Sequence, residues 1–292
     1  MLKSFTRVAA FPLLLGGGTA LVFVMQPLGL AVPVSATIVG VALYGVIWGL
    51  ERYIPYRPEW NLRDGQFAND LGHTLFGSAL GAGIGNALNT VWAGAVAAFV
   101  AAHTEGSGVW PTKWPLAVQV LLVFALADLG RWVQHRMHHA VPFLWRSHEL
   151  HHSGSHLTAI KASRSHLIER VLQQLFMYGP LLALGAPAEA LWWFIVPNSL
   201  MGPFSHCNAD LELGPLEWVL MGPKNHRLHH SVDPRHHNKN FSSAMVLWDR
   251  VFGTWANPAS AGAPTKVGLE GDPTPEGFFA QLVEPFRRRR RA

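Results

Sequence analysis

Long stretches without a charged residue dominate the first half of the chain. Four such stretches cover residues 9–30, 31–50, 74–102 and 115–127. About 20 consecutive apolar residues are enough for an α-helix to cross the hydrocarbon core of a bilayer. The sequence therefore predicts four membrane-spanning helices, and a turn between Pro27 and Pro33 joins the first two as a hairpin.

Two shorter apolar stretches follow at residues 171–184 and 190–204, separated by Gly185, Ala186 and Pro187. They are either a fifth and a sixth span or a re-entrant pair. The predicted fold class is all-α: an integral membrane helical bundle with four to six membrane segments and a cytoplasmic cap of helices that carries the histidine clusters.

The composition is typical of a chain that is solvated partly by lipid. Charged residues make up 14% of the chain and hydrophobic residues 49%, whereas soluble domains carry about 25% charged residues. The single cysteine, Cys207, excludes an intramolecular disulfide and a thiolate metal cluster. Any bound metal must therefore be held by nitrogen and oxygen atoms.

The basic residues predict an orientation in the membrane. If the N-terminus is cytoplasmic and six spans alternate, every basic residue except Lys113 lies in a cytoplasmic segment, as the positive-inside rule requires. Both termini and all histidine clusters then lie on the cytoplasmic side. The arginine run at residues 287–291 favours anionic lipid headgroups. The other basic residues form no stripe interleaved with aromatics, so no nucleic-acid partner is expected.

Half of the 16 histidines fall into three clusters with helical spacing. The clusters are His135 and His139; His148, His151 and His152; and His226, His229 and His230. Residues three or four apart share one face of a helix, whereas successive residues diverge by about 100°. Neighbouring histidines can therefore reach two different metal ions, and imidazole is a good ligand for iron, zinc and copper.

The remaining histidines carry weaker signals. His73 and His103 are isolated and are interpreted as ordinary core or surface residues. His138, His236 and His237 lie beside the clusters without completing a spacing, and they are either neighbours of the ligands or ligands themselves.

Five blocks of sequence resemble a known family. They are DLGRWVQHRMHH at 128–139, PFLWRSHELHHS at 142–153, ASRSHLIE at 162–169, NHRLHHS at 225–231, and NFSS followed by LWDRVFGT at 240–254. One histidine block alone would be unspecific, but three in order with the closing Trp-Asp-Arg block are specific. The chain resembles the fatty acid hydroxylase superfamily, the branch also called sterol desaturases.

The resemblance implies a di-iron enzyme that uses O2 to hydroxylate or desaturate a membrane lipid. Electrons would come from a separate cytochrome- or ferredoxin-type protein, and zinc can replace iron during purification. His206 matches a further family histidine. The implied ligands are His135, His139, His148, His151, His152, His206, His226, His229 and His230.

The resemblance also suggests how the chain is organised. Residues 1–130 would form membrane-spanning helices. Residues 131–255 would form the catalytic region, including two further membrane segments at about 171–205. Residues 256–292 would form a C-terminal loop and the basic tail.

Several polar residues are expected around the ligands. Asp128, Glu149, Glu169 and Asp249 are candidate acceptors for imidazole N–H groups, although Asp128 could equally be a charge at the membrane boundary. Arg164 is expected to be a structural ion-pair partner. His166 and Asn240 complete the set of neighbours. The family's Asn-Tyr-Gly is Asn240-Phe241-Ser242 in this chain, which removes a tyrosine hydroxyl.

Two other functions are alternatives to lipid oxidation. A membrane zinc hydrolase usually carries HExxH, and His148-Glu149-Leu150-His151 is one residue short of it. A non-catalytic metal carrier would need ligands inside the spans, which are nearly free of polar residues. The sequence does not determine which lipid is oxidised, or whether it is hydroxylated or desaturated.

Overall fold

The computed structural model describes residues 1–103, 109–271 and 274–287, and helices form almost all of its regular structure. In these ranges β-structure is limited to three isolated bridges, which pair Pro55 with Ala209, Leu220 with Met245 and Ser231 with Val267. Residues 288–291, most of the predicted basic tail, lie outside the described ranges.

The α-helices are numbered in chain order. They are α1 (Leu2–Met25), α2 (Val32–Tyr53), α3 (Phe67–Gly72), α4 (Ala79–His103), α5 (Leu116–Ala140), α6 (Pro142–His152), α7 (Leu167–Ala183), α8 (Ala188–His206), α9 (Pro223–His229), α10 (Leu247–Val251), α11 (Pro258–Ala261) and α12 (Phe278–Val283). Short 3-10 turns cover Gln26–Leu28, Pro58–Asn61, Ala159–Ser163, Gly214–Trp218 and Glu284–Phe286, and a π-helical segment, His73–Ser78, joins α3 to α4.

The first two helices form the predicted hairpin. The turn Gln26–Leu28 ends at Gly29, whose φ of 75° lies in the left-handed region that glycine adopts without a steric penalty. Ala31 precedes α2, and Pro33 occupies its first turn, where a proline costs no hydrogen bond. The hairpin packs against α8, where the rings of Phe11 and Phe204 lie 4.3 Å apart.

Among the described residues, four helical segments are long and apolar enough to cross a membrane: Leu2–Leu28, Val32–Tyr53, Phe67–His103 and Leu116–Ala140. They match the four predicted spans, and the protein is a helical membrane protein. Their outer faces expose large apolar side chains, for example Val91 at 74% and Phe99 at 64%. Side chains of this kind are compatible with lipid around them.

The two shorter apolar stretches form α7 and α8. Neither helix is among the four segments that meet the length and hydropathy expected of a span. Both nevertheless pack against the spanning helices: α7 lies against α4 and α5, and α8 lies against α1, α2 and α5. Their description as two further membrane segments stays a prediction.

Glycines on α4 allow it to approach α7 closely. Gly81 and Gly85 are one turn apart on the same face of α4. A Cβ atom at Gly81 would lie 2.5 Å from Cβ of Arg170, and one at Gly85 would lie 2.5 Å from Cβ of Gln174. Small residues four apart are the usual means by which membrane helices bring their backbones together.

Candidate metal centre

Two successive helices bring the first two histidine clusters together. His135 and His139 lie near the end of α5. Val141 both ends α5 and precedes α6, which starts at Pro142. Because the connection is a single residue, α6 turns back beside the end of α5. Its last turns then carry the second cluster to the first.

Two further helix ends complete the site. His206 is the last residue of α8. The short helix α9 carries His226 and His229, and His230 follows directly as its C-cap. The segment His229–His230 also contacts α6, since the rings of His152 and His230 lie 4.4 Å apart.

The nine histidines form two groups, in each of which the ligand nitrogen atoms lie within 4.8 Å of one another. The first group contains His135, His139, His148, His152 and His229, and the second contains His151, His206, His226 and His230. Histidines that are adjacent in sequence fall into different groups, as the divergence of successive side chains on a helix requires.

Main-chain carbonyl oxygens orient several of the rings through Nδ1. The contacts are His135 with Phe241 O at 2.7 Å, His229 with Lys239 O at 2.7 Å, His206 with Gly202 O at 2.8 Å, and His151 with Arg164 O at 3.3 Å. A carbonyl oxygen can only accept, so each of these Nδ1 atoms carries the proton. Each Nε2 atom is then left with a lone pair that points into its group.

The Nε2 atoms approach one another more closely than lone pairs tolerate. They lie 3.0 Å apart in His135 and His148, 3.1 Å in His148 and His152, 3.1 Å in His151 and His206, 2.9 Å in His206 and His226, and 3.2 Å in His226 and His230. Two nitrogen atoms bound at right angles to one metal ion, at about 2.1 Å each, would lie about 3.0 Å apart. The donor set therefore fits bound metal.

Unpartnered nitrogen atoms support the same conclusion. Within the described residues, the buried Nε2 atoms of His139 and His229 have no hydrogen-bond partner. A buried polar atom without a partner costs about 1–3 kcal/mol. A metal ligand bond would satisfy both atoms.

Burial keeps these rings neutral. It lowers the pKa of His229 to about 4, and it lowers the pKa values of His151, His152 and His226 well below the ordinary histidine range. Neighbouring imidazoles lower the last three pKa values further. Only a neutral imidazole can donate a lone pair to a metal, so the rings are ready to bind at neutral pH.

Seven histidines belong to neither group, among them the five that carried weaker signals in the sequence. His138 contacts Gln134 O through Nδ1 at 2.8 Å, His237 contacts Val232 O at 3.0 Å, His73 contacts Gln281 Oε1 at 2.9 Å and His103 contacts Phe99 O at 2.7 Å. His236 is buried. His138, His236 and His237 are thus placed as neighbours of the ligands, and His73 and His103 have ordinary structural contacts.

One carboxylate lies against a ligand ring. Oε1 of the buried Glu169 lies 3.1 Å from Nδ1 of His148 and 3.6 Å from Nη2 of Arg131. The contact with His148 is short but not aligned as a hydrogen bond, and such contacts often tighten only when the site is complete. Glu169 is thus a predicted acceptor that does face an imidazole.

Two other carboxylates hold a loop instead of a ring. Asp249 accepts from the backbone N–H groups of Phe241 and Ser242, both at 2.8 Å. Asp128 accepts from those of Ser243 and Ala244, at 3.0 and 2.9 Å. Asp249 was a candidate acceptor for imidazole N–H groups, and Asp128 was either such an acceptor or a charge at the membrane boundary; the structure places both on these amides. Their effect on the site passes through Phe241, whose carbonyl oxygen contacts His135.

The other predicted neighbours also support the backbone. Arg164 forms an ion pair of 2.7 Å with Asp70, as a structural role requires. His166 caps the start of α7 through Nδ1. Asn240 has a φ of 56°, and its side chain donates to Asn225 O at 2.8 Å, one residue before the third cluster. Glu149 is buried on α6.

Sequence reasoning missed the carbonyl anchors and Arg131. Every residue has a carbonyl group, so the ones at Gly202 and Lys239 give no signal in a sequence. Arg131 lies inside the first histidine block, but its partner Glu169 lies on another helix, and nothing in the sequence links the two.

Two cavities reach the histidines. One of about 690 Å³ is lined by Gly40 and Tyr44 of α2, Met177 of α7, Ser199 of α8 and, at its inner end, the rings of His135, His151, His206 and His226. The second, of about 390 Å³, is lined by His139, His152, His229, Trp145 and Asn238, among others. The described residues that line one cavity do not line the other.

Comparison with known proteins identifies relatives of the chain. The sequence model described as fatty acid hydroxylase matches residues 120–254. The ornithine lipid hydroxylase OlsE of Rhizobium tropici is 36% identical over 255 residues, which cover 87% of this chain and 76% of that protein. No solved structure matches the chain.

Alkylglycerol monooxygenases match a smaller part of the chain. Those of Xenopus tropicalis and Danio rerio are 33% and 34% identical over about half of this chain, and the matched part is 31% and 32% of their own length. These relatives are hydroxylases and monooxygenases, which places this protein among the oxidoreductases. The extent of the match to the first relative and the family model together show that the chain belongs to the fatty acid hydroxylase family.

Proposed function

We propose that this protein hydroxylates a membrane lipid with O2, at two iron ions held by the nine histidines. The observation that supports this most directly is the division of the histidines into two nitrogen-only groups at the inner end of a cavity between membrane helices. The reaction would consume O2, two electrons and two protons, and would yield one hydroxyl group on the lipid and one molecule of water.

The iron ions would supply the activation of O2. The protein's own residues would orient the imidazole rings and shield the site. The carbonyl oxygens of Phe241, Lys239 and Gly202 fix the ring orientation, and burial keeps the rings neutral. The helices around the larger cavity would hold the lipid beside the histidines that line it and shield that side of the site from bulk water.

The lipid is proposed to be a polar membrane lipid of the ornithine lipid type. A relative that is 36% identical over most of this chain is named for that substrate. The cavity offers polar groups as well as apolar ones, including Arg170, Gln173, Asn198 and Ser199. Such a lining suits a lipid whose polar part lies near the histidines. The relatives' names favour hydroxylation over desaturation.

The histidines are proposed to lie on the cytoplasmic side, where the basic residues also concentrate. His135 and His139 lie at the end of the spanning segment Leu116–Ala140, opposite to Lys113. A separate electron carrier would then reach the site from the cytoplasm.

Substitution of one histidine in each group tests the metal assignment. We expect His151→Ala and His229→Ala to lose bound iron and product formation while the protein still inserts into the membrane. Iron per chain and the mass of extracted lipids are measured, and a gain of one oxygen atom marks hydroxylation. His138→Gln is the matched control, because His138 is buried on α5 but belongs to neither group, and it should keep its metal.

Full activity in either alanine variant would contradict the assignment. Tightly bound zinc together with hydrolysis of the lipid, and no oxygen-dependent product, would overturn the proposed function itself.

A further inference from the structure

The smaller cavity opens on the histidines from a side that the membrane helices do not cover. Its walls are the end of α5, the start of α6 and the loops that carry His237, Asn238 and Leu269. Ala140, Pro142, His237 and Asn238 are exposed. This opening therefore lies on the exposed surface of the protein, whereas the larger cavity lies among α2, α7 and α8.

The exposed opening reaches the first histidine group directly. His139 is the one ligand candidate that is only partly buried. Trp145 is also partly buried, and its ring lies 5.2 Å from that of His139 and 5.5 Å from that of His152. A carrier seated over this opening would be separated from two candidate ligands by a single aromatic side chain.

Four basic residues lie next to residues that line this opening or its loops. The basic rim consists of Arg136, Arg146, Lys239 and Lys266. Arg136 lies over the Phe241 ring, 5.4 Å from its centre, and that ring contacts His139. The other three are adjacent, in sequence or through a backbone hydrogen bond, to residues of the cavity wall or its loops.

The rim carries an excess of positive charge. Within the described residues, none of its four side chains forms an ion pair, whereas nearby Arg235 is neutralised by Asp233 at 2.5 Å. Glu270 is the acidic residue beside the wall residue Leu269. Unpaired surface charges of one sign attract a partner of the opposite sign and orient it as it approaches.

We propose that the basic rim and the opening beside it are the docking surface for a small acidic protein that carries one electron at a time. This inference rests on the proposed function. Each docked carrier would be oxidised by one electron, which passes to the metal held by the first group. Two such events supply the two electrons that, with two protons, reduce one oxygen atom of O2 to water.

The dimensions and charge of the opening favour a protein over the lipid substrate as the molecule that binds there. A cavity of about 390 Å³ is small for a lipid with two acyl chains. O2 is uncharged and gains nothing from basic residues. An acidic protein uses both features, because it binds the rim and remains outside the cavity.

Charge reversal on the rim tests the proposal. We compare Arg136→Glu/Lys266→Glu with Lys113→Glu, a matched control in which an exposed lysine at the opposite end of α5 is reversed. The probe is a plant-type [2Fe–2S] ferredoxin, which is acidic. Its affinity for the detergent-solubilised protein is measured with and without bound metal, at low and high salt.

We expect the double variant to bind ferredoxin at least about tenfold more weakly at low salt, with less dependence on salt, and Lys113→Glu to bind as the original protein does. The neutral variant Arg136→Gln/Lys266→Gln should fall between them. Wild-type affinity in the double variant would overturn the proposal, as would tighter binding of a basic carrier such as cytochrome c than of ferredoxin.

Turnover with two reductants separates this inference from the proposed function. Product formation driven by ferredoxin, its reductase and NADPH should fall in the double variant, whereas turnover driven by dithionite with a small mediator should not. If the original protein gives no oxygenated lipid with any reductant, the proposed function fails. The ferredoxin affinities still decide whether the rim is a docking surface.

Discussion

At the scale of single side chains, backbone carbonyl oxygens orient more of the imidazoles than carboxylates do. His135, His206 and His229 each contact one at 2.7–2.8 Å. A carbonyl cannot be removed by substitution, so these orientations depend on the backbone path. His148 differs, because its Nδ1 atom faces the carboxylate of Glu169 at 3.1 Å.

Removal of the charge of Glu169 therefore tests a single orienting contact. We expect Glu169→Gln to weaken metal binding by roughly 10- to 100-fold, as is usual when a group that orients a metal ligand is changed. Competition with a chelator measures the affinity. Glu189→Gln, at an exposed site on α8, is the control, and equal affinities in the two variants would show that Glu169 does not act on the metal.

Eight of the nine histidines could be predicted because their spacing follows the helix period, and His206 could be predicted from the family resemblance alone. The roles of Asp128 and Asp249 could not. Each carboxylate accepts hydrogen bonds from backbone amides within residues 241–244. Nearly every residue type has such an amide, so these partners cannot be recognised in a sequence. Pairing of a side chain with distant main-chain groups leaves no periodic pattern in a sequence.

At the scale of helices, the approach of α4 to α7 connects the membrane region to the site. The Gly81 and Gly85 face of α4 packs against Arg170 and Gln174. Glu169 lies on α7 as well. The position of α7 therefore determines where the Glu169 carboxylate meets His148.

Insertion of side-chain volume at this contact should separate the helices. We expect Gly85→Val to destabilise the protein by about 1–3 kcal/mol, the usual cost of overpacking, because its Cβ would lie 2.5 Å from that of Gln174. Thermal unfolding in detergent measures the change. Gly83→Val is the control on the same helix, since nothing lies within 4 Å of a Cβ at Gly83. A similar loss in both variants would argue against close packing at Gly85.

The length of the apolar stretches predicted the four spanning segments well, including the hairpin. It could not predict how α7 and α8 relate to the membrane. Both have prolines inside the helix, Pro180 in α7 and Pro197 and Pro203 in α8, and both pack against the spans. Apolar length alone does not distinguish burial against protein from burial in lipid.

At the scale of the whole molecule, the orientation in the membrane can be tested by cysteine labelling, because the single native cysteine should react slowly. Cys207 is fully buried, and burial raises the pKa of its thiol to about 12. It should therefore react slowly with maleimides. Lys113 and Lys266 are exposed, and α5, about 37 Å long, separates Lys113 from the histidines.

Cysteines introduced at these two positions should be labelled from opposite sides of the membrane. We expect a membrane-impermeant maleimide to label Lys113→Cys in intact cells, and to label Lys266→Cys only after the membrane is opened. Labelling is measured by the mass of the purified protein. Labelling of Lys266→Cys in intact cells would place the histidines on the outer side and contradict the predicted orientation.

The separation of the two cavities has a consequence for protein engineering. The residues around the larger one, such as Gly40 and Ser199, do not line the smaller one. Libraries confined to those positions can thus be screened for altered lipid preference without altering the wall around Trp145, so that one reductant system would serve every variant in the screen.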